Sequence, residues 1–415
     1  MKTTLRENLE KYLDNNQIEE LLVSLEKENK HAVLLNPLKM DDDTFISLFP
    51  HVNPHPIVKH AYLYDKNEYD LGKSIYHLLG CFYLQEPSAM VPAYLLNCKE
   101  NDLVLDLCAA PGGKSIQSSF NMNNKGLIIS NDLSKQRAFA IVENAERLGL
   151  GNLTITNNDF SLIHEYYKDT FSKIILDAPC SGSGMFRKSQ EVKEDWTFEK
   201  VLKCAEIQKT LILCAYNMLK PGGIMCYSTC SFSIEEDEEI VEYLLNNSDA
   251  EVVKIEDNPL FYVNRSKPYG IHLFPSLFPG EGHYICLIKK PGELSNKILE
   301  RKQFKFGDFL FEGIDFSYKK LNVLRLGVKV GELSKDVIKY DYHYAHYLSE
   351  FDNEVELDKE LTYKYLNGET LSVPTKKGFV LLKYKGVSLD IGKSDGTRIK
   401  NRIPSRIRNL NKVIF

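Results

Sequence analysis

The chain has 415 residues, 43% hydrophobic and 26% charged, with a formal net charge of −5. These values predict a globular chain of about two to four domains and exclude intrinsic disorder or a fibrous repeat as the main state. No apolar run approaches the ~20 residues needed to span a bilayer, so no membrane association is expected.

The N-terminus, MKTTLRENLEKYLDNN, is charged and has no apolar stretch of the kind a signal peptide carries, so the cytoplasm is the expected compartment. Leu5, Leu9 and Tyr12 fall at helical spacing and predict a surface helix. Ala32 to Leu35 form a short apolar run, and the prolines between 50 and 56 mark a loop. From about residue 100 apolar runs alternate with longer amphipathic stretches, as βαβ units do. Strands are predicted at 103–107, 127–130, 153–156, 173–176 and 224–228, with a late strand at 283–289. A helix starts near Lys114, a second is capped by Ser134 and runs to Leu148, and a third of about twenty residues ends near Lys220 at Pro221-Gly222-Gly223. A fourth is predicted from Ile234 to Leu245. Short apolar strands with alternating helices predict an α/β fold with a mostly parallel, doubly wound sheet. Residues 293–303 are polar and read as a linker. Beyond them, 379–384 and 387–391 predict a β-hairpin in a small β-rich C-terminal domain. The resulting division is 1–75, 76–292, 293–345 as a connecting subdomain, and 346–415.

Nine cysteines are scattered without a CxxC pair; the closest pair is Cys226 and Cys230. Neither a disulfide framework nor a zinc site is expected, and no metal is predicted. Charge is polarised. Residues 376–415 hold eleven Lys and Arg against two acids, whereas acids cluster at 41–43 and 235–239. The basic C-terminus (Lys376, Lys377, Lys383, Lys385, Lys393, Arg398, Lys400, Arg402, Arg406, Arg408), with Tyr384 interleaved, is a candidate for phosphate contacts. Arg187 and Lys188 are further candidates. The acids at 235–239 read as a helix start, where carboxylates favour the dipole, and no chemistry is assigned to them.

The segment Asp106-Leu107-Cys108-Ala109-Ala110-Pro111-Gly112-Gly113-Lys114 runs from a strand into a small-residue turn that lets backbone approach a ligand. It lacks the glycine spacing of a dinucleotide fingerprint or a P-loop. Asp132 ends the second strand and suits ribose hydroxyls; Asp159 ends the third and suits an adenine amino group. Three strand ends aimed at one crevice favour a nucleoside ligand without pyrophosphate, and S-adenosylmethionine fits. Strands four and five end in Asp177-Ala178-Pro179-Cys180 and Ser228-Thr229-Cys230. A lone strand-end cysteine is most often a buried apolar residue. Two at neighbouring strand ends point to thiolate chemistry, such as addition to C6 of a pyrimidine to make C5 nucleophilic. Asp177 is placed to hold such a base.

The strings DLCAAPGGKS, DAPCSGSGMFRK and PGGIMCYSTCSF, with Gln85 to Met90 and Gln208, resemble the RNA cytosine-C5 methyltransferases of the Fmu/Sun type over roughly residues 75–290. The resemblance implies a Rossmann-like class I methyltransferase core. It implies Cys230 as nucleophile and Cys180 as the cysteine that assists product release. Lys114, Asp132, Arg137, Asp159 and Asp177, with 108–113, belong by it to the cofactor and target-base pocket. The outer parts resemble the bacterial 16S rRNA branch, whose C-terminal extension is PUA-like. The expected partner is therefore RNA, 16S rRNA or the small ribosomal subunit, bound by a monomer. Two alternatives stay open: the same chemistry on tRNA, or a non-catalytic RNA-binding ribosome-assembly factor.

Overall fold

The computed structural model describes residues 4–295, 298–334, 337–405, 408 and 413–415. Five parallel strands form its centre, in the spatial order Leu153–Thr156, Leu127–Asn131, Leu103–Asp106, Phe171–Asp177, Leu219–Thr229. The winding reverses between Leu103–Asp106 and Phe171–Asp177, and such a reversal opens a crevice at the carboxyl ends of the strands. His283–Lys289 lies antiparallel against Leu219–Thr229, and Glu251–Val253 lies beyond it.

Alternation along the strands builds two cores. Val104 and Ile128 point to one face, where they meet Ile116, Ala138, Ile141 and Ala145. Leu105 and Ile129 point to the other, against Ala205, Ile212, Ala215 and Ile240. Each face is covered by helices, so the strands read as continuous apolar runs. Ser134 caps the helix Lys135–Leu148, and Gly149 ends it at φ +72, where a Cβ would lie 2.1 Å from the His346 carbonyl. The long helix, Phe198–Met218, stops earlier than Lys220. Leu219 already pairs with Phe171 and Ile224 with Lys173, so Lys220 to Gly223 bulge out of the ladder rather than close the helix. Pro221 has no N–H to offer that ladder. The fourth helix begins at Glu238, four residues later than its pattern suggested.

The N-terminal helices, Leu5–Leu9 and Asn15–Ser24, are capped by Thr4 and Asp14. They do not lie free on the surface. Leu9, Leu13, Ile18, Leu21 and Leu25 pack with Phe232 and Phe274 of the central domain. Full burial of such a side chain is worth about 1.5–3 kcal/mol. An antiparallel sheet of Asn53–Pro54, Ala61–Tyr64, His31–Leu35 and Phe82–Gln85 follows, drawing part of the proline loop into an edge strand. It shares a core with the C-terminal unit: Val33, Leu35, Phe45 and Phe82 pack with Leu357, Tyr365, Val380 and Leu389. That unit holds Glu354–Leu357 parallel to Gly378–Tyr384, whose hairpin partner is Val387–Ser394.

The stretch read as a linker ends differently. Arg301 to Gln303 open the strand Arg301–Phe306 of a four-stranded antiparallel sheet with Phe309–Ile314, Val328–Ser334 and Val337–Tyr340. Its Phe304, Phe306 and Phe311 contact each other across the hairpin, which a polar reading of 301–303 alone does not show. Val323–Leu326 returns to the central sheet and pairs with Leu153–Thr156. Among the described residues no helix is long and apolar enough to cross a membrane.

Candidate active site

The turn after Leu103–Asp106 folds over the neighbouring strand end. The Ala109 N–H donates to the Asn131 carbonyl at 2.7 Å, and Gly112 adopts φ +107 with Ile141 packed 3.1 Å from where a Cβ would sit. Asp132, 3% exposed, accepts from the backbone N–H of Ala110 (3.3 Å) and of Ser134 (2.9 Å). Arg137 donates to the Ala110 carbonyl at 2.9 Å and lies 3.5 Å from Asp132 Oδ2. Asp159 is exposed and accepts from the Ser161 N–H at 3.0 Å, capping a short turn. A cleft of about 850 Å³ opens between these strand ends. Cys108, Ala110, Asp132, Arg137, Asp159 and Phe160 line one end of it; Asp177, Cys180 and Cys230 line the other. Ala109, Gly112 and Gly113 are buried beneath the turn and shape it, and Pro111 is exposed on its outside.

At the second end the side chains hold each other. Asp177 Oδ1 accepts from the Ser228 hydroxyl and Oδ2 from Lys114 Nζ, both at 2.7 Å. His283 Nε2 lies 3.7 Å from Asp177, and its Nδ1 lies 3.3 Å from the Ser88 hydroxyl. Burial opposes charge on Asp177, but Lys114 and His283 outweigh it and hold the carboxyl well below the usual carboxylate range. Burial likewise pulls Lys114 down, and Asp177 more than restores it, so the ammonium is held above its ordinary value. Lys114 is therefore behind Asp177, buried, and not on the cleft wall. Deeper still, burial pushes Asp106 up to about 7, with Ser115 bound to one oxygen at 2.7 Å.

Cys180 and Cys230 are half-buried, and their sulfurs are 3.2 Å apart. The hydrogen bond to Cys230, then burial, push the Cys180 thiol well above its ordinary value.

The acids at 235–239 do lead into a helix, with Glu238 and Glu239 in its first turn, but three of them are buried. Glu236, Asp237 and Glu238 are 0–1% exposed. The chain turns inward before the helix begins, and Glu236 lies under both cysteine loops, accepting from Ser181 and Ser231. Gln208 donates to the Pro179 carbonyl at 2.9 Å. The available hint was the serine that follows each cysteine, a donor that needs a buried acceptor. Arg187 is not free for phosphates either: its side chain is 7% exposed, bound through Nε to both oxygens of Glu281 at 3.1 Å and through Nη2 to the Gly280 carbonyl. Lys188 is exposed, and with Lys30, Lys66 and His31 it lines a separate cleft of about 330 Å³.

In the C-terminal unit Lys376, Lys377, Lys385, Lys393, Arg398 and Lys400 are exposed. Lys383 pairs with Glu354, Arg402 holds the carbonyls of Ile391 and Tyr340, and Arg408 holds that of Ile403. Tyr384 is buried against Tyr76 and Phe415 rather than presented by the hairpin. Arg406 lies outside the described residues.

The winding order, the antiparallel strand laid against the fifth parallel one, and a first turn without phosphate-binding spacing define the central domain as a Rossmann-like methyltransferase dependent on S-adenosylmethionine. The cleft fits that cofactor: it is large enough, has apolar walls at Phe160 and Leu133, and carries an acid at each of two strand ends. Within this class the chain is similar to the 16S rRNA methyltransferase RsmB/F family, whose model matches residues 93–289. Models of the N-terminal domain of 16S rRNA methyltransferase RsmF and of the methyltransferase RsmF PUA domain match residues 3–87 and 352–409. The chain is 27% identical to the ribosomal RNA small subunit methyltransferase F of Vibrio vulnificus strain YJ016 over 91% of each chain. It is 29% identical to that of Shewanella piezotolerans over 93% of each. A methyltransferase homolog protein from Pyrococcus horikoshii superposes with a TM-score of 0.60 at 27% identity, covering 68% of this chain and 93% of that one. NSun6 from the same organism shares the fold, with a TM-score of 0.63 at 20% identity over 70% and 98%.

Proposed function

We propose that the protein methylates C5 of cytosine in small-subunit ribosomal RNA through a covalent adduct between Cys230 and C6. The observation that carries this reading is the pair of sulfurs 3.2 Å apart beside an ionised Asp177 at the mouth of the cleft. The names of the relatives support the choice of RNA. C5 of cytosine is a poor nucleophile until a thiolate adds to C6. The Cys180 thiol is held well above its ordinary value, which argues against it as the attacking thiolate and supports Cys230 as the nucleophile. Asp177, charged at all ordinary pH values, accepts from the exocyclic amine and a protonated N3, which makes C6 more electrophilic. Bound S-adenosylmethionine supplies an electrophilic methyl group on sulfonium; Asp132 and Asp159 would hold its ribose and adenine. The largest cause that keeps the Cys180 thiol protonated is its bond to Cys230, and that bond is lost once Cys230 is alkylated. Cys180 then gives its proton to solvent, and its thiolate takes the C5 proton while the C5–H electron pair re-forms the C5–C6 double bond and the Cys230 thiolate leaves C6.

The target base must be unpaired or flipped to reach the cleft. Lys30, Lys66 and Lys188, with the exposed C-terminal cations, supply the basic surface for flanking phosphates. In the test, Cys180→Ala with RNA and S-adenosylmethionine accumulates an adduct that survives denaturing electrophoresis, and Cys230→Ala forms none. Normal turnover by both variants overturns the two-cysteine mechanism. Label transferred to tRNA but not to 16S rRNA or 30S subunits overturns the choice of acceptor.

A further inference from the structure

The parallel ladder between the two cysteine-bearing strands ends at Asp177 and Ser228. Past that pair the chains diverge into separate loops, and few backbone bonds cross between them: Ala178 N–H to the Ser228 carbonyl at 2.9 Å and Gly184 N–H to the Cys230 carbonyl at 2.8 Å. Yet the sulfurs at positions 180 and 230 stand at contact distance. The Ser183 hydroxyl accepts the Phe232 N–H across them at 2.8 Å, and the Ser181 and Ser231 hydroxyls lie 3.4 Å apart; beneath both, a carboxylate reaches the two loops at once. Glu236, 0% exposed, accepts the Ser181 N–H on Oε1 at 2.7 Å; its Oε2 accepts the Ser181 hydroxyl and, at 2.6 Å, the Ser231 hydroxyl. Ser181 follows Cys180 and Ser231 follows Cys230, so the carboxylate ties the residue next to each thiol to a single point. Glu236 is itself fixed: Tyr227 donates to its carbonyl at 2.6 Å, and Gln208 lies 3.4 Å from Oε1.

We infer that Glu236 is a positioning residue that sets the separation of the two thiols. It touches neither substrate nor cofactor and acts through Ser181 and Ser231. The inference rests on the two-cysteine reading for its consequence, but the separation itself is measurable without RNA or cofactor.

Diamide supplies the ruler. It takes two electrons and two protons from a dithiol as the S–S bond forms, at a rate set by how often the sulfurs meet. The full-length protein and its Glu236→Ala, Glu236→Gln, Ser181→Ala and Ser231→Ala variants are treated with diamide, and the Cys180–Cys230 cross-link is followed by peptide mass spectrometry. Glu236→Ala slows the cross-link about tenfold and lowers kcat about 100-fold, the scale of a misplacement near 1 Å, with KM for RNA little changed. Ser181→Ala and Ser231→Ala, each missing one hydroxyl donor, fall between. Glu236→Gln keeps the shape and bridges both hydroxyls, so it restores most of the cross-linking rate. Titration with S-adenosylmethionine confirms folding, because that half of the cleft uses other strand ends. If Glu236→Ala does not fold, the two serine variants decide. Unchanged cross-linking in the folded variants overturns the proposal. Absence of an RNA adduct in Cys180→Ala with Glu236 intact overturns instead the covalent reading, and leaves the ruler experiment standing.

Discussion

The two ends of the cleft are built differently. At the cofactor end, Asp132 and Asp159 are held by backbone N–H groups, glycine and alanine form the turn, and Arg137 is 63% exposed on its side chain. At the cysteine end, charged and hydroxyl side chains bind one another: Asp177 with Lys114 and Ser228, Glu236 with Ser181 and Ser231. A ligand that comes and goes suits a turn with few obligations. A covalent step needs sulfur, carboxylate and base held within a fraction of an ångström, and interlocked side chains supply that preorganisation.

The sharpest break is Lys114→Met. It leaves Asp177 without its principal cation, so the carboxyl pKa rises toward the side that burial favours and Asp177 is more readily neutralised. We expect kcat to fall about 100-fold or more, since a neutral Asp177 no longer favours the protonated ring. Stability falls by about 2–3 kcal/mol, less than for a fully dry pair because a third of the Asp177 side chain is open. Steady-state label transfer and thermal melts check both; a normal rate would mean that Asp177 needs no charge.

Asp132→Ala acts on the other end. Loss of a charged acceptor weakens S-adenosylmethionine binding roughly 10- to 100-fold by calorimetry. The Cys180–Cys230 cross-linking rate stays the same. If it drops as well, the two ends are not independent. The triple change of Lys30, Lys66 and Lys188 to Ala tests a region outside both. It should weaken RNA binding and flatten its salt slope by about 1 per lysine, with cofactor affinity unaffected. A slope identical to wild type would remove that cleft from the RNA path.

The smallest effect concerns Asp106, which lies between the ends. Burial raises its pKa from 3.8 to about 7. The folded chain keeps a proton that the unfolded chain releases, so this group's contribution to stability declines as pH rises across that window. Asp106→Asn flattens that part of the melting-temperature profile. An unaltered profile would mean that Asp106 is ionised in the fold.

Much of the scaffold was legible because its rules are local. Strand 153–156 and the helix after Ser134 sit where alternation and capping put them. The crevice followed from where consecutive strands end, so Asp132, Asp177, Cys180 and Cys230 could be named together. Lys220 to Gly223 misled because Pro and Gly mark both a helix stop and a bulge, and only the register with Phe171 and Lys173 separates them.

What the sequence determined by itself is the alternation of buried faces, the helix caps and the chemistry at the strand ends, since each depends on residues within a few positions of one another. Tertiary structure alone decided which distant polar groups pair. Glu236 meets Ser181 across 55 positions, Arg187 is spent on Glu281 across 94, and the N-terminal apolar stripe finds Phe232 and Phe274. The physical reason is that a buried charge must be paired, but its partner is set by where the chain returns, and no local pattern encodes that return.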